Sequence, residues 1–211
     1  TIDPFDVENK LTEKSCCVTP MHFAGFPADI AEISKLCEDY ELFLIEDACH
    51  ALGTSVDGKQ LGTVGDIGCF SFYGNKIMTT GEGGMMVMKN SEHVKLAKSL
   101  RSHGMTNLAW DRVKGAMSYD IHGLGYNYRL DDMRAAIGIV QFGRLQKFIE
   151  CRAQVVEMYK NRLSEIENVI VPAFSNKKNQ ANYIFPILVK HGNREKLREK
   201  LLQVGIQTSL H

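Results

Sequence analysis

The sequence predicts an α/β fold in which a mainly parallel sheet is flanked by helices. In the first half of the chain, short β-branched or apolar runs alternate with amphipathic segments, which is the pattern of strands connected by helices. The composition, 44% hydrophobic and 24% charged over 211 residues, is that of an ordinary globular protein. It supplies enough apolar side chains for a sizeable core.

The first elements follow from these patterns in order. A strand at Cys16–Thr19 precedes a helix of about ten residues that begins near Asp29, a plausible N-cap. The apolar face of this helix consists of Ile30, Ile33, Leu36 and Cys37. The next apolar run, ELFLIED, is a strand that ends abruptly in Glu46 and Asp47. Because ligands gather at the carboxyl ends of strands in open α/β sheets, these two acids are candidates for chemistry.

Two further strands are predicted on either side of a glycine-rich loop. The apolar runs Ile67–Tyr73 and Met85–Met88 flank the stretch GNKIMTTGEGG. Ser91 is placed to cap a helix that reaches Gly104. The first half of the chain therefore ends as strand, loop, strand and helix.

The second half of the chain predicts a connecting helix and a small α/β unit. Residues 105–126, which include the single tryptophan, Trp110, have weak periodicity and predict an irregular excursion. From Asp131 to about Leu163, apolar residues recur at helical spacing and predict one long or bent helical region. The runs NVIVP, YIFPILV, REKLREKLLQV and GIQTSL then predict a strand, strand, helix, strand order. We expect a large domain at residues 1–163 and the start of a small C-terminal domain at residues 164–211.

Charge and cysteine content narrow the function classes. Lys+Arg and Asp+Glu are equal at 25 each, so no basic field favours a nucleic acid as partner. No apolar stretch approaches the length of a membrane span, so we expect no membrane partner. The six cysteines lie mostly in apolar runs without C-x-x-C pairing. This pattern predicts buried reduced thiols, a cytoplasmic location, and neither a metal site nor a disulfide framework.

Three features fall in the order acid, hydroxyl, amine: Glu46-Asp47 at a strand end, Ser71 in a strand, and Lys76 in the glycine-rich loop. An enzyme that depends on pyridoxal 5′-phosphate (PLP) needs an amine to bond the cofactor, a carboxylate for the pyridine nitrogen, and hydroxyls for the phosphate. Each residue also has an ordinary interpretation. A loop lysine is usually solvated, a strand-end acid usually caps a turn, and Ser71 fits a satisfied core hydroxyl. The spacing permits PLP chemistry without selecting it.

Three longer motifs occur in one order: EDACHALGT, GDIGCFSFYGNKIMTTGEGG and GYNYRLDDMRAAIGIVQFGRL. Together they strongly resemble the DegT/DnrJ/EryC1/StrS family of PLP-dependent sugar aminotransferases, in wording closest to nucleotide-sugar 4-aminotransferases such as perosamine synthases. The resemblance covers essentially the whole chain and is faintest after about Asn168. It implies an aspartate aminotransferase-like fold (fold type I). It also implies that an N-terminal part of that fold is absent before Thr1 and that the small domain is incomplete at His211.

The resemblance implies roles for five residues. Lys76 would form a Schiff base with PLP, and Asp47 would pair with the pyridine nitrogen. His50 would contact the cofactor, and Ser71 would bind its phosphate. Asn127 would reach the phosphate of the neighbouring subunit, which implies a homodimer with shared active sites. For His50 and Asn127, a satisfied core imidazole and a helix cap stay open as structural alternatives.

The resemblance also implies an activity. An amino group, from glutamate in most relatives, would pass to a keto carbon of a nucleotide-linked 4-keto-6-deoxy sugar, in the biosynthesis of deoxyamino sugars for surface polysaccharides. One alternative is a PLP- or pyridoxamine-phosphate-dependent sugar 3-dehydratase, in which histidine replaces the Schiff-base lysine, so that Lys76 speaks against it. Another alternative is a non-catalytic truncated relative, which the presence of Lys76, Asp47 and Ser71 weakens.

Overall fold

The computed structural model describes residues 1–106, 115, 118–172 and 180–210. Its helices, in chain order, are α1 (Pro4–Glu8), α2 (Ile30–Asp39), α3 (Ser91–Leu100), α4 (Asp132–Gly143), α5 (Leu145–Leu163) and α6 (Arg194–Gln203). Its strands are β1 (Cys17–Val18), β2 (Phe43–Asp47), β3 (Ser55–Val56), β4 (Lys59–Gln60), β5 (Ile67–Ser71), β6 (Gly84–Met88), β7 (Val169–Ile170) and β8 (Leu188–Val189). Trp110, in the predicted excursion, lies outside the described residues.

The largest sheet in the described part of the chain has the strand order β1, β2, β5, β6. Strands β1, β2 and β5 run parallel, and β6 pairs with β5 in the antiparallel direction. The register sets Asp47, at the end of β2, opposite Cys69 of β5. The prediction of a mainly parallel sheet is confirmed. The carboxyl ends of β2 and β5 therefore meet at one edge of the sheet.

Helix α2 packs against this sheet with the face that its sequence predicts. Its buried residues are Ile30, Ile33, Leu36 and Cys37. Ile33 is fully buried in a cluster that includes Val18 of β1 and Leu44 of β2. Asp29 occupies the predicted N-cap position, although its side chain makes no capping hydrogen bond. The apolar stripe, rather than the cap, therefore holds this helix on the sheet.

A second buried cluster joins the loop after β5 to α5 and to residues 180–184. It consists of Phe72, Ile77, Met78, Leu145, Ile149, Ala181 and Tyr183. The Ala181 N–H donates to the Thr54 hydroxyl at 2.9 Å, and that hydroxyl donates to the Gly25 carbonyl at 3.3 Å. Gly25 has φ +94°, and a Cβ there would lie 2.8 Å from the Asn182 nitrogen, so a larger residue would push this segment away. A late part of the chain is thus tied to loops near its beginning.

The prediction of a strand across YIFPILV is only partly right. Of this run, Leu188–Val189 alone pairs, with β7. The Tyr183 carbonyl instead accepts a hydrogen bond from an Arg152 guanidinium nitrogen at 2.9 Å. Pro186 has no N–H to give to a ladder. The backbone N–H and carbonyl of Tyr183 therefore bond a loop and a side chain rather than a neighbouring strand.

Two predicted boundaries are wrong for local reasons. Helix α3 is capped by Asn90, whose side chain accepts from the Glu92 N–H at 2.8 Å, so Ser91 lies inside the helix. That helix ends at Leu100 instead of Gly104. The run GIQTSL forms no strand among the described residues, where it is exposed and lies beside no partner strand.

The sequence predicts one long or bent helical region from Asp131 to about Leu163, and the structure has two helices there. Helices α4 and α5 are separate elements joined at Arg144, and the Asp131 side chain caps α4 by accepting from the Arg134 N–H at 2.9 Å. Helix α4 buries none of its residues, although several of its side chains are apolar. The domain boundary at residue 163 coincides with the end of α5 and stays a prediction. Among the described helices, none combines the length and apolarity that crossing a bilayer requires.

The prediction of mostly buried cysteines is wrong for half of them. Cys37 is buried and Cys49 and Cys69 are half-buried, but Cys16, Cys17 and Cys151 are exposed. Cys16 and Cys17 lie beside and on β1, the edge strand of the described sheet, and Cys151 lines an open groove between α5 and residues 182–185. All six are free thiols. No group of three or more His, Cys, Asp or Glu side chains suited to a metal ion is found among the described residues.

Candidate active site

Four of the five residues predicted for a site lie at or beside the carboxyl edge of the sheet. Asp47 ends β2, and His50 follows it by three residues. Ser71 ends β5, and Lys76 lies in the loop that joins β5 to β6. Because β2 and β5 are adjacent and parallel, the fold itself brings an acid, an imidazole, a hydroxyl and an amine to one edge.

The two neighbouring acids at the end of β2 differ in environment. Successive side chains of a strand point to opposite faces, so Glu46 and Asp47 cannot share one. Glu46 is fully buried. Its carboxylate accepts hydrogen bonds from the backbone N–H groups of Gly62, Val64 and Gly65, each at 2.7 Å. Glu46 therefore anchors the loop before β5 and has no free face for a ligand.

A histidine completes the environment of Glu46. The His22 Nδ1 atom accepts from the Ala28 N–H at 3.1 Å, which leaves the ring proton on Nε2. Nε2 then donates to Glu46 at 3.0 Å. Burial alone would raise the Glu46 pKa, but the hydrogen bonds from His22, Gly65 and Gly62 outweigh it, so the pKa is lowered. Glu46 is therefore a buried anion held by donors.

Asp47 has a different set of contacts. One carboxylate oxygen accepts from the Cys49 N–H at 3.1 Å, which is the turn-capping role of a strand-end acid. Burial first, and then the Asp47 carboxylate, raise the pKa of the Cys49 thiol to about 12, while the Lys76 charge lowers it by less. Cys49 is therefore a neutral thiol whose backbone N–H bonds the Asp47 carboxylate.

The aromatic ring of Tyr183, from a later part of the chain, contacts both Lys76 and His50. The Lys76 Nζ atom lies 4.5 Å from the centroid of the Tyr183 ring, and the His50 ring lies 4.3 Å from the same ring. The His50 Nδ1 atom accepts from the Ala24 N–H at 3.3 Å. His50 is thus a packed and hydrogen-bonded imidazole, as its structural alternative predicts. It also lies beside the candidate amine.

The Ser71 hydroxyl and the Asn127 amide are less constrained. Ser71 is half-buried, and its oxygen accepts from the Tyr73 N–H at 3.4 Å, so its own proton is available to a ligand. Asn127 is exposed and bridges to Ser102, and its side-chain oxygen accepts from the Arg129 Nε atom at 3.1 Å. These contacts join Asn127 to a separate stretch of the chain rather than to Lys76.

Sequence reasoning missed the residues that surround the predicted ones. Tyr183 lies in a run whose apolar character indicated only a strand. Cys49 was predicted to be a buried core thiol. It lies instead in the turn between Asp47 and His50, where its N–H bonds the Asp47 carboxylate. Spacing alone left Glu46 and Asp47 equivalent, and the family resemblance selected Asp47. Strand alternation, which applies to any pair of neighbours, puts the two side chains on opposite faces.

The donor set of this edge fits a PLP group. A carboxylate, an amine and a hydroxyl with an available proton are the groups that the pyridine nitrogen, the aldehyde carbon and the phosphate of PLP require. The Asp47 carboxylate accepts one hydrogen bond from the Cys49 N–H. It could also pair with the N–H of the pyridine ring. Lys76 would hold the aldehyde carbon, and Ser71 would donate to the phosphate.

Comparison with known families gives an independent result. The sequence profile of the DegT/DnrJ/EryC1/StrS aminotransferase family matches residues 1–211. Similar curated proteins include an uncharacterized protein, MJ1066, of Methanocaldococcus jannaschii, 38% identical over 98% of this chain and 55% of its own length. GDP-perosamine synthase of Escherichia coli O157:H7 is 33% identical over 96% of this chain and 53% of its own length. The chain spans about half the length of the curated relatives that it matches.

A solved structure supports the fold. PseC of Helicobacter pylori, an aminotransferase involved in the biosynthesis of pseudoaminic acid, superposes with a TM-score of 0.91 at 26% identity. The match covers 100% of this chain and 56% of that one. The fold type I expectation is therefore confirmed.

Replacing Glu46 by glutamine tests its structural role. The glutamine amide would place an NH2 group against backbone N–H groups, so that donors face donors and one hydrogen bond or more is lost. We therefore expect Glu46→Gln to lower the free energy of unfolding at pH 7 by about 3 kcal/mol. Because the fold lowers the Glu46 pKa, the parent loses this stabilisation as the pH falls through that pKa, whereas the variant has none to lose. Urea unfolding at neutral and acidic pH should therefore give converging stabilities.

The matched control is Glu13→Gln, at an exposed acid, which should change the unfolding free energy by less than about 0.5 kcal/mol. Equal stabilities of the parent and Glu46→Gln at pH 7, or parallel pH curves, would contradict the buried-anion account.

Proposed function

This chain belongs to the DegT/DnrJ/EryC1/StrS aminotransferase family, and from that premise we propose that it forms part of a PLP-dependent nucleotide-sugar aminotransferase. The observation that carries the proposal is geometric: Asp47 and Ser71 end adjacent parallel strands, and Lys76 lies against the same Tyr183 ring as His50, three residues after Asp47. The acid, the amine and the hydroxyl come from different elements of the fold. Their meeting at one edge is what PLP chemistry needs.

Each residue has a distinct role in the proposed reaction. Lys76 would hold the cofactor through a covalent bond at Nζ. Asp47 would accept a hydrogen bond from the pyridine nitrogen and stabilise its protonated form, since a carboxylate favours a nearby positive charge. Ser71 donates its hydroxyl proton to the phosphate, and His50 borders the cofactor beside Tyr183. The cofactor supplies an electron sink for the amino donor's α carbon.

Lys76 also moves the proton. When it is not bonded to the cofactor, the Lys76 Nζ would be the base for the α proton of the donor, and in the second half of the reaction it would be the acid that gives a proton to the sugar carbon. The Cys49 thiol, with a pKa of about 12, stays protonated and does not compete as a nucleophile. Lys76 is therefore the catalytic acid and base, and Asp47 sets the charge of the ring.

The finer substrate assignment draws on the relatives. One relative, GDP-perosamine synthase of E. coli O157:H7, is named for an amino sugar linked to a nucleotide. We propose a nucleotide-linked 4-keto-6-deoxy sugar as acceptor and glutamate as donor, in the synthesis of deoxyamino sugars for surface polysaccharides. The lysine at position 76 argues against the sugar 3-dehydratase alternative, and the intact acid, amine and hydroxyl argue against a non-catalytic relative.

Two further properties are part of the proposal. The active form is a homodimer in which Asn127 of one subunit binds the phosphate at the other subunit's site. This is supported by the exposure of Asn127 and by its separation from Lys76 in the contacts of its own chain. The location is cytoplasmic, which the six free thiols support.

Lys76→Ala tests the cofactor bond. We expect the variant, in the full chain, to lose the absorbance band of lysine-bound PLP at about 420 nm and all transamination, because no other amine occupies this loop position. Its thermal unfolding should stay close to the parent's, since Lys76 is only half-buried. Lys59→Ala, an exposed lysine of β4, is the control and should keep both the band and the activity. Turnover by Lys76→Ala would refute the proposal.

Subunit mixing tests the shared site. Lys76→Ala and Asn127→Asp are each expected to be inactive as homodimers, the second because an aspartate repels the phosphate dianion. A hybrid dimer has both lesions in one site and an intact second site. With statistical exchange, activity should recover to about a quarter of the parent value. Exchange is measured with differently tagged subunits, and exchange without recovered activity would show that Asn127 acts within its own chain.

A further inference from the structure

The loop that carries Lys76 is closed at its base, and at its tip the Lys76 N–H donates to the Tyr73 carbonyl at 3.0 Å. Thr80 N–H donates to the Phe72 carbonyl at 2.9 Å, and the Thr79 hydroxyl donates to the same carbonyl at 3.1 Å, so the two ends of the loop are closed. At the tip, Asn75 is exposed and Lys76 is half-buried. A long lysine side chain here needs a further contact to hold one orientation, because its rotamer freedom is large.

Tyr183 makes two contacts with this tip. Its hydroxyl donates to the Asn75 side-chain oxygen at 2.9 Å, and its ring lies 4.5 Å from the Lys76 Nζ atom. Burial raises the Tyr183 pKa, which the Arg152 charge lowers by less, so the phenol stays protonated and remains a donor. One side chain therefore holds both the backbone neighbour of the amine and the amine itself.

Tyr183 is itself held rigidly. It is 8% exposed. Its N–H donates to the Ala24 carbonyl at 3.0 Å, and its carbonyl accepts from Arg152 at 2.9 Å. Ala24 has φ +60°, a left-handed conformation uncommon outside glycine, and its N–H and carbonyl bind His50 and Tyr183 respectively. The strained residue thus aligns the two rings beside the amine.

We propose that Tyr183 is a positioning residue for Lys76, acting through its ring on Nζ and through its hydroxyl on Asn75. The inference rests on the proposed function, in which Nζ bonds the cofactor and then moves a proton. It assigns the alignment of that amine to a residue more than a hundred positions later in the chain. A residue on α5, Arg152, supports the alignment by fixing the Tyr183 backbone.

The test measures how fast Lys76 bonds PLP, without any sugar or amino donor. In the cofactor-free full chain, the rate is followed by the band at about 420 nm, and borohydride reduction with peptide mapping identifies the modified lysine. Loss of one hydrogen bond predicts that Tyr183→Phe and Asn75→Ala each slow this rate by about threefold to fivefold. Tyr183→Leu, which also removes the ring, should slow it by about tenfold or more.

Coupling separates positioning from general damage. If the hydroxyl acts through Asn75, the double variant Tyr183→Phe with Asn75→Ala should be no slower than either single variant. Asn75 is exposed, so Asn75→Ala should leave thermal unfolding unchanged while it slows bonding. Tyr159→Phe is the matched control, since Tyr159 stacks on Phe185 at 4.9 Å and should bond PLP at the parental rate.

A second readout does not involve PLP. The cofactor-free chain is reductively methylated, and the modification of each lysine is quantified by mass spectrometry. Because the Tyr183 ring shields Nζ, Lys76 should be methylated about threefold faster in Tyr183→Leu than in the parent. The exposed Lys147 is the internal reference for both rates. Parental rates of PLP bonding and of methylation in the Tyr183 and Asn75 variants would overturn the positioning role alone. If the unsubstituted chain bonds no PLP at Lys76, the proposed function fails, and the inference fails with it.

Discussion

The Glu46 carboxylate is fully buried, and the hydrogen bonds from three backbone N–H groups and His22 that keep it charged are the constraint on which the site depends. Burying an unpaired carboxylate would be strongly unfavourable, so this set of donors must form when the chain folds. It fixes the loop before β5 and the orientation of β2. Because alternate residues of a strand face opposite sides, it also turns Asp47 away from the core toward the carboxyl edge.

The rest of the site is assembled by long-range contacts on this frame. The strained Ala24 contributes its N–H to His50 and its carbonyl to Tyr183, and Thr54 ties Gly25 to Ala181. These bonds bring a segment near residue 180 against loops near residues 25 and 50. The Lys76 Nζ atom then lies 4.5 Å from the centroid of the Tyr183 ring, while the residue as a whole stays half-buried. Stability and function are joined here, since the contacts that close the core also set the geometry of the proposed catalytic amine.

Much of the fold could be predicted because its determinants are local. The apolar stripe of α2 and the strand that ends in Glu46 and Asp47 are properties of a few consecutive residues, and both are confirmed. The resemblance of three motifs to a known family supplied the candidate residues that spacing alone left open. Where partners come from far away, prediction failed. The run YIFPILV has strand composition, but Arg152 and Ala24 take the hydrogen bonds of its first residue, and no local pattern encodes them.

Of the two adjacent acids, Glu46 serves the fold, and we propose that Asp47 serves the chemistry. Steady-state turnover and urea unfolding of Asp47→Asn in the full chain test this claim most directly. An amide cannot hold the pyridine nitrogen protonated, so we expect turnover to fall by about a hundredfold or more with the unfolding free energy within about 1 kcal/mol of the parent. Near-normal turnover in Asp47→Asn, or a collapse of stability that matches the loss of activity, would contradict the account.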